Sequence, residues 1–277
     1  MHSVSKRGYL NEDYRLFHST DRRDADFETH SHDFHKIVLC LKGRVTYIVE
    51  GVTCFLRPWD LLIIPQHQIH RSILHSTETY ERMVLWIRDS FLQRFEEPAL
   101  MDVFQWPYRQ KYGLYRVETA CRDGLLHHLQ EVERSWHASF AGHALLADTH
   151  LLQFLLELGQ LLKQGAQADE NAVRTDPQMQ QVLAFINRNL SDDLSVDTLA
   201  GAFFLSPSRL MHRFREHAGC TVHQYVLQKR LMLAASLIEQ GESVIHSAHH
   251  AGFADYSAFL RAFRKQYGCL PSAMRKR

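Results

Sequence analysis

No apolar run in this 277-residue chain approaches the roughly 18 residues that a membrane-spanning helix needs. The opening Met1-His-Ser-Val-Ser-Lys-Arg7 leads into charged sequence, where a secretory leader would carry an apolar core. Cysteine is scarce and scattered: Cys40, Cys54, Cys121, Cys220 and Cys269 are odd in number, and no two stand at metal-ligand spacing. That argues against a disulfide framework and fits a reducing cytoplasm, with buried packing as the default for all five. A nucleophile elbow, a phosphate-cradling Gly-rich loop and a Ser/His/Asp signal are all missing, so enzymatic activity is not expected. The net charge is only +1, but it is unevenly held. Residues 177–277 carry 12 Lys+Arg against 7 Asp+Glu, whereas residues 1–176 carry 20 against 24. A basic third inside a neutral whole fits neutralisation of phosphates by that third.

What is present is a segment written twice. Ser195-Val-Asp-Thr-Leu-Ala200, then Leu210 to Phe214-Arg215, then Gly219-Cys220 reappears as Ser243-Val-Ile-His-Ser-Ala248, Phe259 to Phe263-Arg264 and Gly268-Cys269. Each copy reads as a short helix, a tight turn and a second helix with one apolar face. Small residues at Ala200 and Ala248 allow the close helix approach of a helix-turn-helix. Two copies are too few for a solenoid, so two DNA-reading units are expected.

On these residues, together with Leu205-Ser-Pro-Ser208, Tyr225, Arg230-Leu231, Ala234 to Leu237, Gly252-Phe253 and Pro271, the chain resembles the AraC/XylS family of bacterial transcription regulators. The matches extend over nearly all of residues 180–274. Ser247 departs from the pattern, standing where the family has an aliphatic residue, and is expected to loosen the second unit; Val222, Asp255 and Tyr256 fit only loosely.

The two recognition helices should start at Ser206 or Pro207 and at Ala254 or Asp255, with their N-terminal halves entering the major groove. On the first, Ser208, Met211 and His212 are placed at base edges, and Arg209 and Arg215 nearer phosphate. On the second, Tyr256, Ser257, Leu260 and Arg261 take the base edges, and Arg264 and Lys265 the backbone. Arg261 is the best candidate for a specific contact, because a guanidinium bonds guanine O6 and N7 together. Met211 and Leu260 are either apolar contacts or core. A connecting helix over about Val222 to Glu239 should hold the readers roughly 10 bp apart on one DNA face.

Upstream, Gln164 to Pro177 is poor in large apolar residues and reads as a linker. Short β-branched or aromatic runs at 36–41, 45–49, 53–56, 60–64 and 82–87, divided by turn signals, suggest a small barrel or jelly roll. His30-Ser-His32-Asp-Phe-His35-Lys36, with Gly43, Arg57-Pro-Trp-Asp60 and Pro65 to His70, is similar to the cupin sensor domain of many such regulators. In metal cupins two histidines of a His-x-His pair, a later Glu and a further His gather on one metal. Here His30, His32 and His70 match the histidines, but Lys36 stands at the place of the Glu, so no metal or cofactor is expected. The candidate ligand-lining residues are His30, His32, His35, Tyr47, His70 and Trp86, with Trp86 either stacking on a ligand or serving as core. The region before Phe27 is polar, and the resemblance implies that it forms an arm over the pocket. Two helices, Asp123 to His137 and Gly142 to Lys163, follow, the second with more leucine than one buried stripe needs.

The expected fold is α+β and multidomain: a cupin-like barrel with helices over 1–121, a helical dimerisation segment at 122–164, a linker at 165–176, and an all-α domain with two helix-turn-helix units at 177–277. The expected function is a sequence-specific DNA-binding transcription regulator, an activator, controlled by a small-molecule effector in the barrel. The resemblance implies a homodimer, contact with RNA polymerase, and a sugar or related metabolite as effector. A metal-dependent cupin enzyme fused to a DNA-binding module and a regulator controlled by a protein partner stay open as alternatives.

Overall fold

The computed structural model of the chain describes residues 5–6, 10–21, 25–26, 28–74, 79–165 and 170–274. Ten strands come first: β1 (Ser5–Lys6), β2 (Tyr14–Asp21), β3 (Ala25–Asp26), β4 (His30–Ser31), β5 (His35–Lys42), β6 (Val45–Val49), β7 (Val52–Leu56), β8 (Asp60–Ile64), β9 (His70–Leu74) and β10 (Tyr80–Ile87). Helices α1 (Asp89–Gln93) and α2 (Pro98–Gln110), strand β11 (Leu114–Arg116), helices α3 (Arg122–Trp136) and α4 (His143–Lys163), and strand β12 (Val173–Arg174) complete the N-terminal part. The strands form two sheets, β11-β8-β5-β10-β2 and β1-β4-β9-β6-β7-β12, with β3 beside β9.

The central strands carry mostly apolar runs because most of both faces is buried. Side chains alternate along a strand, so Ile37, Leu39, Leu61, Ile63, Met83, Leu85 and Ile87 meet Leu125, Leu151, Phe154 and Leu158 of the covering helices. Val38, Cys40, Leu62, Ile64 and Val84 face inward between the sheets.

Seven helices form the rest: α5 (Pro177–Arg188), α6 (Val196–Ala202), α7 (Pro207–Ala218), α8 (Val222–Glu239), α9 (Val244–His250), α10 (Tyr256–Tyr267) and α11 (Pro271–Met274). The two recognition helices start where hydroxyl and carboxylate caps place them. Ser206 Oγ accepts from the Arg209 N–H, and an Asp255 carboxylate oxygen accepts from the Ser257 N–H. Leu199, Ala200, Leu210 and Phe214 build one small core with α5; Ala248, Phe259 and Phe263 build a second. Helix α8 supplies both, Tyr225 and Val226 to the first and Leu231, Ala234, Ala235 and Ile238 to the second. Residues shared between two cores fix one unit against the other. Ser247 does not leave a polar defect in its core: its buried hydroxyl donates to the Ser243 carbonyl at 2.9 Å.

One expectation is corrected. Within the region read as an arm, Tyr14–Asp21 is a full edge strand paired antiparallel with β10 from Tyr80↔Asp21 to Ile87↔Tyr14. Only Tyr14 is fully buried in it, with Leu16, Phe17, Ser19 and Asp21 half-buried, which suits an edge strand that needs only partial burial. At the C-terminal end of the segment read as a linker, Val173 and Arg174 pair with Cys54 and Thr53 of β7, which ties that end to the barrel.

Candidate effector cavity and DNA-reading faces

A cavity of about 460 Å³ opens between the sheets. Its walls are Phe17 and Ser19 from β2, His30 and His32, Lys36 from β5, Tyr47 from β6, Ser72 and Leu74 from β9, and Tyr80, Arg82, Val84 and Trp86 from β10. Trp86 stacks on Phe34 with ring centroids 4.6 Å apart and meets Phe17 edge-on at 4.7 Å. Two cations reach this space. Arg82 is paired with Asp21 at 2.6 Å, and Lys36 Nζ lies 5.5 Å from the centre of the Tyr47 ring.

The histidines sit at its base. His30 and His70 are cross-strand partners, with ring centroids 4.4 Å apart, and His32 lies 4.7 Å from His70. All three are buried, at 8%, 3% and 1% exposure. Their Nδ1 atoms are hydrogen-bonded to the carbonyls of Glu28 (2.8 Å), Phe34 (3.2 Å) and Gln68 (2.9 Å). A carbonyl only accepts, so each Nδ1 is the protonated donor and each Nε2 carries the lone pair. Burial lowers the pKa values of His32 and His70 well below the ordinary imidazole range, and the neighbouring Lys36 and histidines add to the effect. His32 Nε2, His70 Nε2 and Trp86 Nε1 are buried and lack a hydrogen-bond partner among the described residues.

Of the expected ligand-lining residues, His30, His32, Tyr47 and Trp86 lie on the cavity wall, and His70 packs behind the first two. His35 does not belong with them. One residue from Lys36, it points to the opposite face of β5, where it stacks on Phe104 at 4.0 Å and bonds the Asp89 carboxylate, while its Nδ1 accepts from the Gln66 N–H. The His-rich spacing hides this, because strand alternation sends neighbours to opposite faces.

The back of the same strands touches the DNA-binding domain. Ser31, between His30 and His32, accepts a hydrogen bond from Gln228 Nε2 of α8 at 2.8 Å. Thr29 Oγ1 donates to the Gly219 carbonyl at 2.8 Å. Gly219 ends α7 with φ +73°, and a Cβ there would come within 2.9 Å of Thr29 Oγ1 and 2.8 Å of Arg71 Nε, so glycine is needed both for its conformation and for the close approach.

Glu50, in the Glu-Gly turn between two strands, makes a second grip. In the two-residue turn between β6 and β7 it holds φ 47°, a conformation that disfavours side chains other than glycine and is found at turns of this kind. Its Oε1 accepts from the Ile69 N–H (2.7 Å) and Lys229 Nζ (2.6 Å), its Oε2 from the Tyr225 hydroxyl, and its carbonyl from Gln180 Nε2 (3.1 Å). One barrel turn therefore holds α5 and α8 together.

On α7, Ser208, Arg209, Met211, His212 and Arg215 are exposed, and on α10 so are Tyr256, Ser257, Arg261, Arg264 and Lys265. Leu260 is the exception: it is half-buried and packs against the second core, so it serves the fold first. Met211, by contrast, is 50% exposed. The Arg261 guanidinium, 73% exposed, reaches only a 3.9 Å contact with Asp255, weak enough to give way to a base. Arg213, on the inner side of α7, instead bonds Asp176 and Gln178.

A ligand-sized cavity joined by direct hydrogen bonds to paired helix-turn-helix units defines an effector-controlled DNA-binding transcription regulator. The AraC-like ligand binding domain model matches residues 15–183, and a helix-turn-helix domain model matches residues 199–277; the chain belongs to the AraC-like family. It is 25% identical over 261 residues to the HTH-type transcriptional activator RhaS of Escherichia fergusonii, with 90% of this chain and 88% of the relative covered. RhaS of Escherichia coli O157:H7 is 24% identical over 253 residues, covering 91% and 88%. Among solved structures, ToxT from Vibrio cholerae O395 bound to (E)-4-(8-methylnaphthalen-1-yl)but-3-enoic acid aligns over 95% of this chain and 98% of its own, at 15% identity and TM-score 0.41.

Proposed function

We propose that the chain is a transcription activator of the cytoplasm, working as a homodimer, and that a small molecule in the cavity between its sheets changes the grip of the barrel on α8 and so the presentation of α7 and α10 to DNA. The observation that carries this reading is the two-sidedness of one short strand. His30 and His32 face the cavity, and Ser31 between them holds Gln228 of the helix that connects the two readers. An effector that displaces the histidines by a fraction of an ångström has to move Ser31 with them, and a packed interface converts such shifts into a change of state. The unpartnered Trp86 Nε1 and His32 Nε2 favour a ligand with hydrogen-bonding groups as well as a flat apolar face.

The proposed dimer face is α4. Its buried stripe of Ala147, Leu151, Phe154, Leu155, Leu158 and Leu162 satisfies the barrel, yet Leu145 is 71% exposed, and Leu146 and Leu156 on the same helix and Phe140 before it are exposed too. A second copy covering this surplus is the economical occupant. Recruitment of RNA polymerase is the matching mode of activation, in keeping with the relatives named activators.

The test combines a thermal-shift screen of sugars and small organic acids on the full chain with operator binding by anisotropy. A stabilising compound should also alter operator affinity. If compounds that bind leave operator affinity unchanged, the barrel is not the control element.

A further inference from the structure

We infer that Phe204, in the turn between α6 and α7, is an aromatic contact to the DNA backbone beside the groove that the first reading helix enters. The two helix-turn-helix units supply the comparison. In the first, the Phe204 N–H donates to the Gly201 carbonyl at 3.3 Å and the Leu205 N–H to the Ala200 carbonyl at 2.9 Å. In the second, the Gly252 N–H donates to the His249 carbonyl at 2.9 Å and the Phe253 N–H to the Ala248 carbonyl at 3.0 Å. The two turns share one hydrogen-bond pattern, with Phe204 where its copy has Gly252. Both residues are left-handed, at φ 55° and 85°. Glycine enters that conformation freely, whereas a bulky side chain crowds its own backbone there.

The surroundings explain the glycine of the second turn. A Cβ on Gly252 would come within 2.3 Å of the Leu190 carbonyl oxygen, so that turn is seated against the first unit. Phe204 is instead 97% exposed, more than any other large apolar residue among those described. Phe203 and Leu205, on either side of it, pack against the first core. The ring of Phe204 adds nothing to the folding of the free chain, and its backbone conformation opposes folding. A strained residue bare of contacts points to a contact made in a complex.

The neighbourhood identifies the partner as DNA. Phe204 stands two residues before Ser206, the cap of α7, so it borders the end of the helix that enters the groove. Ser206, Pro207, Ser208 and Arg209 continue its exposed surface into the reading face. From Thr198 to Arg215 there is no carboxylate, and Arg209 and Arg215 stand exposed in that stretch, which suits a polyanion. At the rim of a groove an uncharged ring meets the C–H faces of deoxyribose, and such a contact fixes register without reading sequence. The inference rests on α7 being a reader of DNA.

The test compares full-length wild type, Phe204→Gly, Phe204→Tyr and Arg215→Ala on two duplexes across a salt series. One duplex is selected from a random pool by the wild-type protein, and the other is an unrelated sequence of the same length. Phe204→Gly should melt no lower than wild type, because glycine releases the strain, and should bind both duplexes about tenfold more weakly, the scale of one buried aromatic face. No charge is lost, so its salt slope should stay that of wild type. Phe204→Tyr keeps the flat face and should bind as wild type does. Arg215→Ala, the control for α7, should weaken binding to both duplexes and lower the salt slope by about one.

Wild-type affinity in Phe204→Gly beside weakened binding in Arg215→Ala would overturn the contact and leave α7 a reader, the ring then facing a protein. Unchanged binding in both variants would remove α7 as a reader and the inference with it. A lowered salt slope in Phe204→Gly would make the ring a support for the arginines of α7, a loss confined to the selected duplex would assign it to a base edge, and a lower melting point would assign it to the fold; each overturns the backbone contact.

Discussion

Ser31 and Gln228, 197 residues apart in the chain, are joined by a buried hydrogen bond of 2.8 Å between Oγ and Nε2. The serine lies in β4 between two cavity histidines, His30 in the strand and His32 just after it, and the glutamine in the helix whose residues enter the cores of both DNA-reading units. This bond runs from the cavity strand to the helix that connects the readers, beside the Thr29–Gly219 bond to the end of α7.

Replacing either partner by alanine strands the other in a buried place, at about 1–3 kcal/mol. Ser31→Ala should retain operator binding without effector and shrink the effector-induced change in affinity at least severalfold. Anisotropy titrations with and without a ligand found by thermal shift would read this. An unaltered response in both Ser31→Ala and Gln228→Ala would shift the connection to the Thr29–Gly219 bond and the Glu50 grip.

The two arginines of α10 should separate by role. Arg261→Ala should relax sequence preference at one base position, losing about 1–3 kcal/mol of discrimination. Arg264→Ala should weaken binding to all sequences and lower the salt slope by about one. Binding across a panel of single-base operator variants at two salt concentrations distinguishes them, and a reversed assignment would mean that α10 lies in the groove in another orientation.

Trp86→Ala removes a flat wall of the cavity without touching the interface with the DNA-binding domain. Ligand-induced thermal stabilisation should disappear, while operator affinity in the absence of ligand stays within about twofold, since surface-neutral changes remote from the reader shift little. Full retention of ligand stabilisation would move the effector elsewhere, the larger cleft beside Glu50, Gln180 and Lys229 being the next place to look.

Asp176 gives a pH signature. Burial works against its ionisation, but hydrogen bonds from Arg213 and the Met179 N–H, with the charges of Arg213 and His217, outweigh burial and hold its pKa below the ordinary 3.8. A carboxylate depressed in the folded state contributes stability above its unfolded pKa and loses it as the pH falls through the folded value. Acidification below about pH 4 should thus loosen α5 and α7, and Asp176→Asn, which keeps a good helix cap, should flatten that part of the stability profile. An identical acid limb in wild type and variant would assign the loss to other carboxylates.

The duplicated tail was legible because each helix start carries its own cap and each buried stripe recurs at helical spacing; Ser195, Ser206 and Ser243 all cap helices as their positions suggest. Barrel strands with continuous apolar runs, such as β6 at Val45–Val49, were equally plain. Edge strand β2 was not, since Arg15, His18 and Asp21 give it the look of a solvated segment, and its partner lies more than sixty residues away in sequence. The face of His35 was hidden for a related reason: three histidines close in sequence look like one cluster until strand alternation divides them. The domain grip was invisible because Ser31, Glu50, Gln228 and Lys229 are ordinary polar residues whose significance comes only from meeting across the fold. Glu50-Gly51 between two strands carried the one usable signal, a hairpin turn that places a non-glycine residue at positive φ.

The most direct measurement is a hydroxyl-radical footprint of the full-length protein on its operator, read at single-nucleotide resolution with wild type, Arg215→Ala and Arg264→Ala. Two units fixed by α8 predict, for each copy of the chain, two protected segments on one face of the duplex, roughly 10 bp apart, with Arg215→Ala weakening one and Arg264→Ala the other. A single protected segment, or two on opposite faces of the duplex, would contradict the placement of α7 and α10 as paired readers.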